Sequence, residues 1–238
     1  MERKINFAVG EYYHVYNRGV EKRDIFLDND DRDRFQKILY VSNSSNPVVF
    51  KTIQRLPLDK IDIGEKRVAI GAYVLMPNHF HILVKEITEG GLTNFMAKLT
   101  TSYSKYFNKK HERVGPLFQS RFKAEHVDDD NYLQYLYAYI HLNPVKLIEP
   151  AWKEDGIHNR ERAEKYLKDY RYSSYLDYSE DGANREEQLI LSKTEFPEYF
   201  GEPREFKQYL RDWLEYEMLE KTTLQRPPLE PTDLDITT

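Results

Sequence analysis

Tyr73-Val74-Leu75-Met76-Pro77-Asn78-His79-Phe80-His81-Ile82-Leu83-Val84-Lys85 decides the architecture. Its apolar, β-branched run predicts two strands joined at Met76-Pro77-Asn78, because Pro77 has no N–H to give a ladder. On a strand, side chains two apart share a face. Phe80, Ile82 and Val84 therefore make one wholly apolar face. His79 and His81 point together to the other side, where two imidazoles form half of a metal site. The same pattern also serves two polar residues on a half-buried strand.

Working outward, Tyr12 to Gly19 predicts a first strand ending in a turn at Gly19. Asp28 to Asp31 supply cap chemistry for a helix carrying Phe35, Ile38 and Leu39. Val48 to Ile53 reads as a second strand, Leu56 to Lys66 as a loop, and Arg67 to Met76 as the strand before the histidines. Gly90-Gly91 turns the chain into a helix over Leu92 to Lys110, with Leu92, Phe95, Met96 and Leu99 inward and Lys98, Lys105 and Lys109 outward. Leu117 to Ala124 is a strand or an ordered loop. A helix from Tyr132 to about Asn143 follows, with Pro144 expected to push Asn143 out of helical angles. Helical character returns near Arg160 to Leu167 and, weakly, over Glu186 to Met218. Pro227-Pro228 to Thr238 reads as a loose tail.

The 238 residues suit one large domain, or one domain with an appendage. No cysteine is present, which excludes disulfides and thiolate chemistry and fits a cytoplasmic protein. Met1 to Asn6 lacks the apolar run of a signal peptide, and no apolar stretch is long enough for a membrane span. Mean hydropathy is −0.76 and the net charge −5. The charge is uneven: from Glu186 onward there are thirteen acidic and six basic residues, leaving 29 basic against 27 acidic before it. Lys98 to His126 holds seven basic residues and two acidic ones. A local basic stripe of this kind matters to a polyanion, since fields are screened beyond about 8–10 Å. Tyr103, Tyr106, Phe107 and Phe122 lie near it, placed either to stack bases or to pack a core.

The helix near Tyr139 is the second constellation. Tyr139 and Asn143 are four apart, one helical turn, and present to one point. A phenol is a possible nucleophile and an amide oxygen a ligand for a hard cation. Ordinary packing explains the same spacing. Tyr135 is the rival nucleophile, but it lies two turns, about 12 Å, from Asn143. His14, His111, His126, His141 and His158 lack paired spacing and read as structural or exposed.

Met76-Pro77-Asn78-His79-Phe80-His81-Ile82-Leu83 resembles the His-hydrophobic-His motif of single-tyrosine transposases. Tyr139-Ile140-His141-Leu142-Asn143-Pro144-Val145 resembles their nucleophile helix, and Asn17-Arg18-Gly19 and Gln119-Ser120-Arg121-Phe122 are similar to further stretches. The resemblance is to the IS200-like superfamily, within it to the REP-associated tyrosine transposases, and covers roughly residues 10 to 150. It implies an α+β fold, a ferredoxin-like antiparallel sheet with helices packed on one face. The expected division is a catalytic domain over 1–150, a helical accessory region over 151–226 and a flexible tail over 227–238.

By resemblance, His79, His81 and Asn143 bind Mg²⁺ or Mn²⁺, with glutamine expected at the Asn143 position in classical members. Tyr139 is the nucleophile. It cleaves and rejoins single-stranded DNA bearing a hairpin through a 5′-phosphotyrosine, and Arg18, Lys105, Lys109, Arg121 and Lys123 contact the DNA. Some relatives exchange tyrosine helices in a homodimer, and others act alone. Two other functions stay open: a replication initiator or relaxase using the same residues, and a domesticated protein that binds hairpins without cutting.

Overall fold

β1 (Tyr12–Arg18), α1 (Asn29–Ser42), β2 (Val68–Met76), β3 (His79–Glu86), α3 (Gly91–Lys110) and β4 (Lys123–Val127) follow a β-α-β-β-α-β order in the computed structural model, with α2 (Phe50–Ile53) between α1 and β2. The model describes residues 6–152, 157–179 and 185–216. The sheet order is β2-β3-β1-β4, with every neighbouring pair antiparallel. This is the ferredoxin-like topology expected from the sequence.

Alternation along β3 divides the core. Phe80, Ile82 and Val84 face α1 and α3 in one cluster with Phe35, Phe95, Leu99 and Tyr103. Phe35 packs its ring 5.1 Å from Phe80 and 4.9 Å from Tyr103, centre to centre. Leu83 faces the opposite way, with Val74 of β2 and with Leu136, Tyr137 and Ile140 of α4 (Asp130–Leu142). The two crossover helices thus share one face, as the ferredoxin-like order requires. α4 lies outside that repeat and covers the other face, so helices occupy both sides of the sheet. All nine residues of β2 are buried as a result.

β2 is an edge strand by order, yet its outer rim is covered. Leu75 N–H donates to the Tyr172 carbonyl at 2.9 Å, Ser174 N–H to the Tyr73 carbonyl at 3.0 Å, and Ser192 N–H to the Ile70 carbonyl at 2.9 Å. Satisfying these groups removes a template for stray strand pairing. Phe196 seals the same region over Gly71. A Cβ there would come within 2.8 Å of the Phe196 ring.

Two local expectations change. Val48 to Ile53 is not a strand: Phe50–Ile53 is a short helix. The Arg34 guanidinium lies 3.5 Å above the Phe50 ring, a tertiary contact that its β-branched composition does not reveal. Asn143 keeps helical angles (φ −51, ψ −38), because Pro144 enters the first turn of a following 3₁₀ helix, Asn143–Leu147, where its missing N–H costs nothing. Of the two readings open for the aromatics near the basic stripe, core packing holds for Tyr103 and Phe107, 0% and 1% exposed, whereas Tyr106 and Phe122 are half-buried. Past Pro144, helices form at Arg160–Asp169 and Pro203–Tyr216. The expected tail lies outside the described residues.

An acidic clamp ties the start of α1 to the end of α3. Asp28 caps α1 by accepting from Asp31 N–H at 2.9 Å, and Lys110 Nζ donates to both Asp28 carboxylate oxygens at 2.7 Å. The Lys110 hydrogen bond holds the Asp28 carboxyl below its usual 3.8. A depressed carboxyl stabilises the fold above its unfolded value and loses that contribution as pH falls through it. The thermal midpoint is expected to drop as pH is lowered from about 5 to about 3, and to drop less in Lys110→Met. Equal pH slopes in the two proteins would show that the clamp contributes nothing.

Candidate active site

Four rows of side chains cross the α4-facing side of the sheet. Register pairs Arg18 with His79, Tyr16 with His81 and His14 with Leu83, and carries Tyr16 on to Lys123 and His14 on to Glu125. His79 and His81 therefore share a face, as their spacing predicts, with ring centres 5.0 Å apart and planes at 86°. His79 Nδ1 lies 2.6 Å from the Asn78 side-chain oxygen, and His81 Nδ1 lies 2.9 Å from His14 Nε2. In both rings the Nδ1 atom is occupied by a protein partner.

α4 lays its tyrosine stripe over this face. The Tyr139 ring stands edge-on to His81 at 5.2 Å and to His14 at 5.9 Å. All three residues belong to one chain, so the phenol and the imidazoles meet without helix exchange. Tyr139 is 2% exposed, and His81 and Asn143 are 0%. His79 is half-buried and is the member of the group nearest to solvent. Burial pushes the Tyr139 phenol well above its ordinary value of 10; Tyr135 adds to the rise and the Asn143 amide opposes it. The phenol is thus protonated near neutral pH, and an attack through its oxygen must hand that proton on.

Asn143 sits one turn beyond Tyr139, near its hydroxyl, with both side-chain amide atoms buried and neither in a well-formed hydrogen bond. Polar atoms left in that state in a native interior demand an explanation, and an absent ligand is a common one. Among the described residues no group of three His, Cys, Asp or Glu side chains is arranged for a metal. A histidine pair and the amide next to the phenol that meets it are a different donor set, of the mixed nitrogen and oxygen kind that suits a hard or borderline divalent cation.

The expected DNA contacts divide between two faces. Arg18 and Lys123 lie in the histidine rows. Lys105 and Arg121 line a groove of about 750 Å³ with Asn17, Ser104 and Phe118, between α3 and the 115–122 segment. Lys109 is exposed further along α3. Tyr135 packs its ring at a 60° tilt on Trp213, with centres 5.0 Å apart, and meets Tyr139 at 6.1 Å.

Spacing missed three members of the site. His14, Tyr16 and Glu125 come from β1 and β4. Tyr16 OH donates to Glu125 Oε1 at 2.8 Å and Tyr132 OH to Glu125 Oε2 at 3.0 Å. Burial disfavours the Glu125 charge, but His14 and the two hydroxyls outweigh it and hold the carboxyl below its usual range. The alternation of Tyr12, His14, Tyr16 and Arg18 along β1 is the signal that could have found His14. The other histidines are structural or exposed: His141, for example, is pushed down to about 3 by burial and bonds Ser174 Oγ at 2.7 Å.

No curated protein matches the sequence. A solved structure described as a REP-associated tyrosine transposase bound to a REP hairpin is similar, at 16% identity and a TM-score of 0.45, over 79% of this chain and 90% of that one. Residues 60–143 match the family model "Transposase IS200 like". His79, His81, Tyr139 and Asn143 all fall inside that stretch, which is similar to the IS200-like transposases.

Proposed function

We propose that the protein cleaves and rejoins single-stranded DNA at hairpin-associated sites, with Tyr139 as nucleophile. The observation that carries this reading is the approach of Tyr139 to His81 within one chain, beside the buried Asn143 amide. Tyr139 Oη attacks phosphorus, a 5′-phosphotyrosine forms, and the DNA 3′-hydroxyl leaves. The ester is close in energy to the bond it replaces, so a second 3′-hydroxyl can reverse the step without ATP. His79, His81 and Asn143 are the residues that would hold Mg²⁺ or Mn²⁺, which supplies charge neutralisation at a phosphate oxygen. Arg18 and Lys123, in the rows beside the histidines, bind the flanking backbone. Lys105 and Arg121 bind a more distant part of the strand, and Lys109 adds to the field that attracts it.

Single-stranded substrate follows from the buried phenol, since a flexible strand can thread a phosphate to a recessed group more readily than a duplex. The reading needs no partner subunit, and a homodimer would hold two complete sites. The residue positions equally suit a replication initiator, but of the two candidate tyrosines of α4 it is Tyr139 whose ring meets His81, which favours the single-tyrosine reaction; Tyr16, also against His81, spends its hydroxyl on Glu125.

Incubating the protein with Mn²⁺ and a hairpin-bearing single-stranded oligonucleotide is expected to give a covalent adduct stable to denaturing electrophoresis. Chelation by EDTA before mixing is expected to abolish it. A protein that binds the hairpin tightly yet forms no adduct with any divalent ion would instead be a non-cleaving hairpin binder.

A further inference from the structure

His14 lies behind His81, on the neighbouring strand. Both imidazoles are completely buried, and His14 Nε2 stands 2.9 Å from His81 Nδ1. The rings are nearly parallel, at 19°, with centres 5.0 Å apart. The second nitrogen of His14, Nδ1, makes no hydrogen bond; the nearest charged group is Glu125 Oε2 at 3.8 Å, an electrostatic contact. Both His14 nitrogens are therefore directed at protein groups, and His14 is not itself arranged as a ligand. Two fully buried imidazoles are an expensive way to fill space. Aliphatic side chains of the same volume would pack there without desolvating four ring nitrogens.

Glu125 gathers the remaining contacts. It accepts from Tyr16 on β1 and from Tyr132 on α4, the helix that carries Tyr139. One carboxylate thereby connects the histidine strands to the nucleophile helix.

We infer that His14 is a positioning residue for His81, holding its ring through a proton-ordered chain that ends at Glu125. This rests on the proposed metal role of His81. For His81 to present a lone pair at Nε2, its proton must sit on Nδ1, which donates to His14 Nε2. His14 then carries its own proton on Nδ1, aimed at the Glu125 carboxylate. The chain fixes both the tautomer and the orientation of His81, as outer partners of metal-binding histidines characteristically do. His79 receives the same service more simply, donating from Nδ1 to the Asn78 side-chain oxygen.

The test is Mn²⁺ affinity without DNA, read from the electron paramagnetic resonance signal of free Mn²⁺ in titrations of the full chain. His14→Leu is expected to weaken binding by roughly 10–100-fold. His14→Gln, whose amide can reach the His81 Nδ1 position, is expected to recover most of it, and Glu125→Gln to give a smaller loss. A His14→Leu protein with native near-ultraviolet circular dichroism and unchanged affinity overturns the inference.

Should His14→Leu fail to fold, ¹⁵N resonances of the wild-type imidazoles decide the matter. Protons on Nδ1 of both His81 and His14 are expected, and a proton on His81 Nε2 overturns the chain. A wild type that neither binds Mn²⁺ nor forms the DNA adduct overturns the functional reading as well. A wild type competent in both, with an insensitive His14→Leu, overturns this inference alone.

Discussion

Tyr139→Phe is expected to abolish the covalent DNA adduct while leaving the fold and hairpin binding in place. The substitution removes one oxygen and keeps the ring that packs edge-on to His81 at 5.2 Å. Losing a single buried hydroxyl changes stability by about 1 kcal/mol. The chemistry has no comparable reserve. A phenylalanine cannot form a phosphoester, and Tyr135 packs its ring on Trp213. The measurement is adduct yield on a denaturing gel beside a gel-shift titration with the same oligonucleotide. An adduct persisting in Tyr139→Phe would move the nucleophile elsewhere, with Tyr135→Phe as the next variant to try.

Phe80→Ala is expected to produce the reverse outcome, a large loss of stability from a residue flanked by both site histidines. Phe80 is 0% exposed and points away from them, into the cluster with Phe35 and Phe118. Truncating a fully buried phenylalanine typically costs about 3–5 kcal/mol, transfer and cavity terms together. Against a total of about 5–15 kcal/mol for a domain, that is a large share. Urea denaturation should show the midpoint falling with little change in slope. A loss below about 1 kcal/mol would mean that the α1–α3 side of the sheet repacks freely, contrary to its close ring contacts.

The contrast between these neighbours comes from a period of two, and it is why the histidine strand was legible. His79 and His81 share a face by local geometry alone, whatever the rest of the chain does. Tyr139 and Asn143 are similarly related by one helical turn. His14 was not legible in this way. Its partner His81 lies 67 residues away, and Glu125 lies on a third strand, so no spacing within a segment connects them. Tyr103 and Phe107 stayed open between core packing and base stacking for the matching reason. Their helix is amphipathic, but which aromatics along it reach the core depends on α1, which packs against them from another part of the chain. Val48 to Ile53 failed because tertiary contact overrides strand-like composition: Phe50 packs under the Arg34 guanidinium and Ile53 joins the core beside α1. The rim of β2 is taken by Tyr172, Ser174 and Ser192.

The sequence by itself determined the hairpin, the pairing of the two imidazoles, the partnership of Tyr139 with Asn143 and the antiparallel α+β class. All of these rest on periods of two or four residues, which the backbone imposes locally. Only the tertiary structure decided that α4 covers the histidine face and that His14 and Glu125 stand behind His81. Those relations depend on register between distant strands and on which face a helix buries, and both are settled by packing the whole core together.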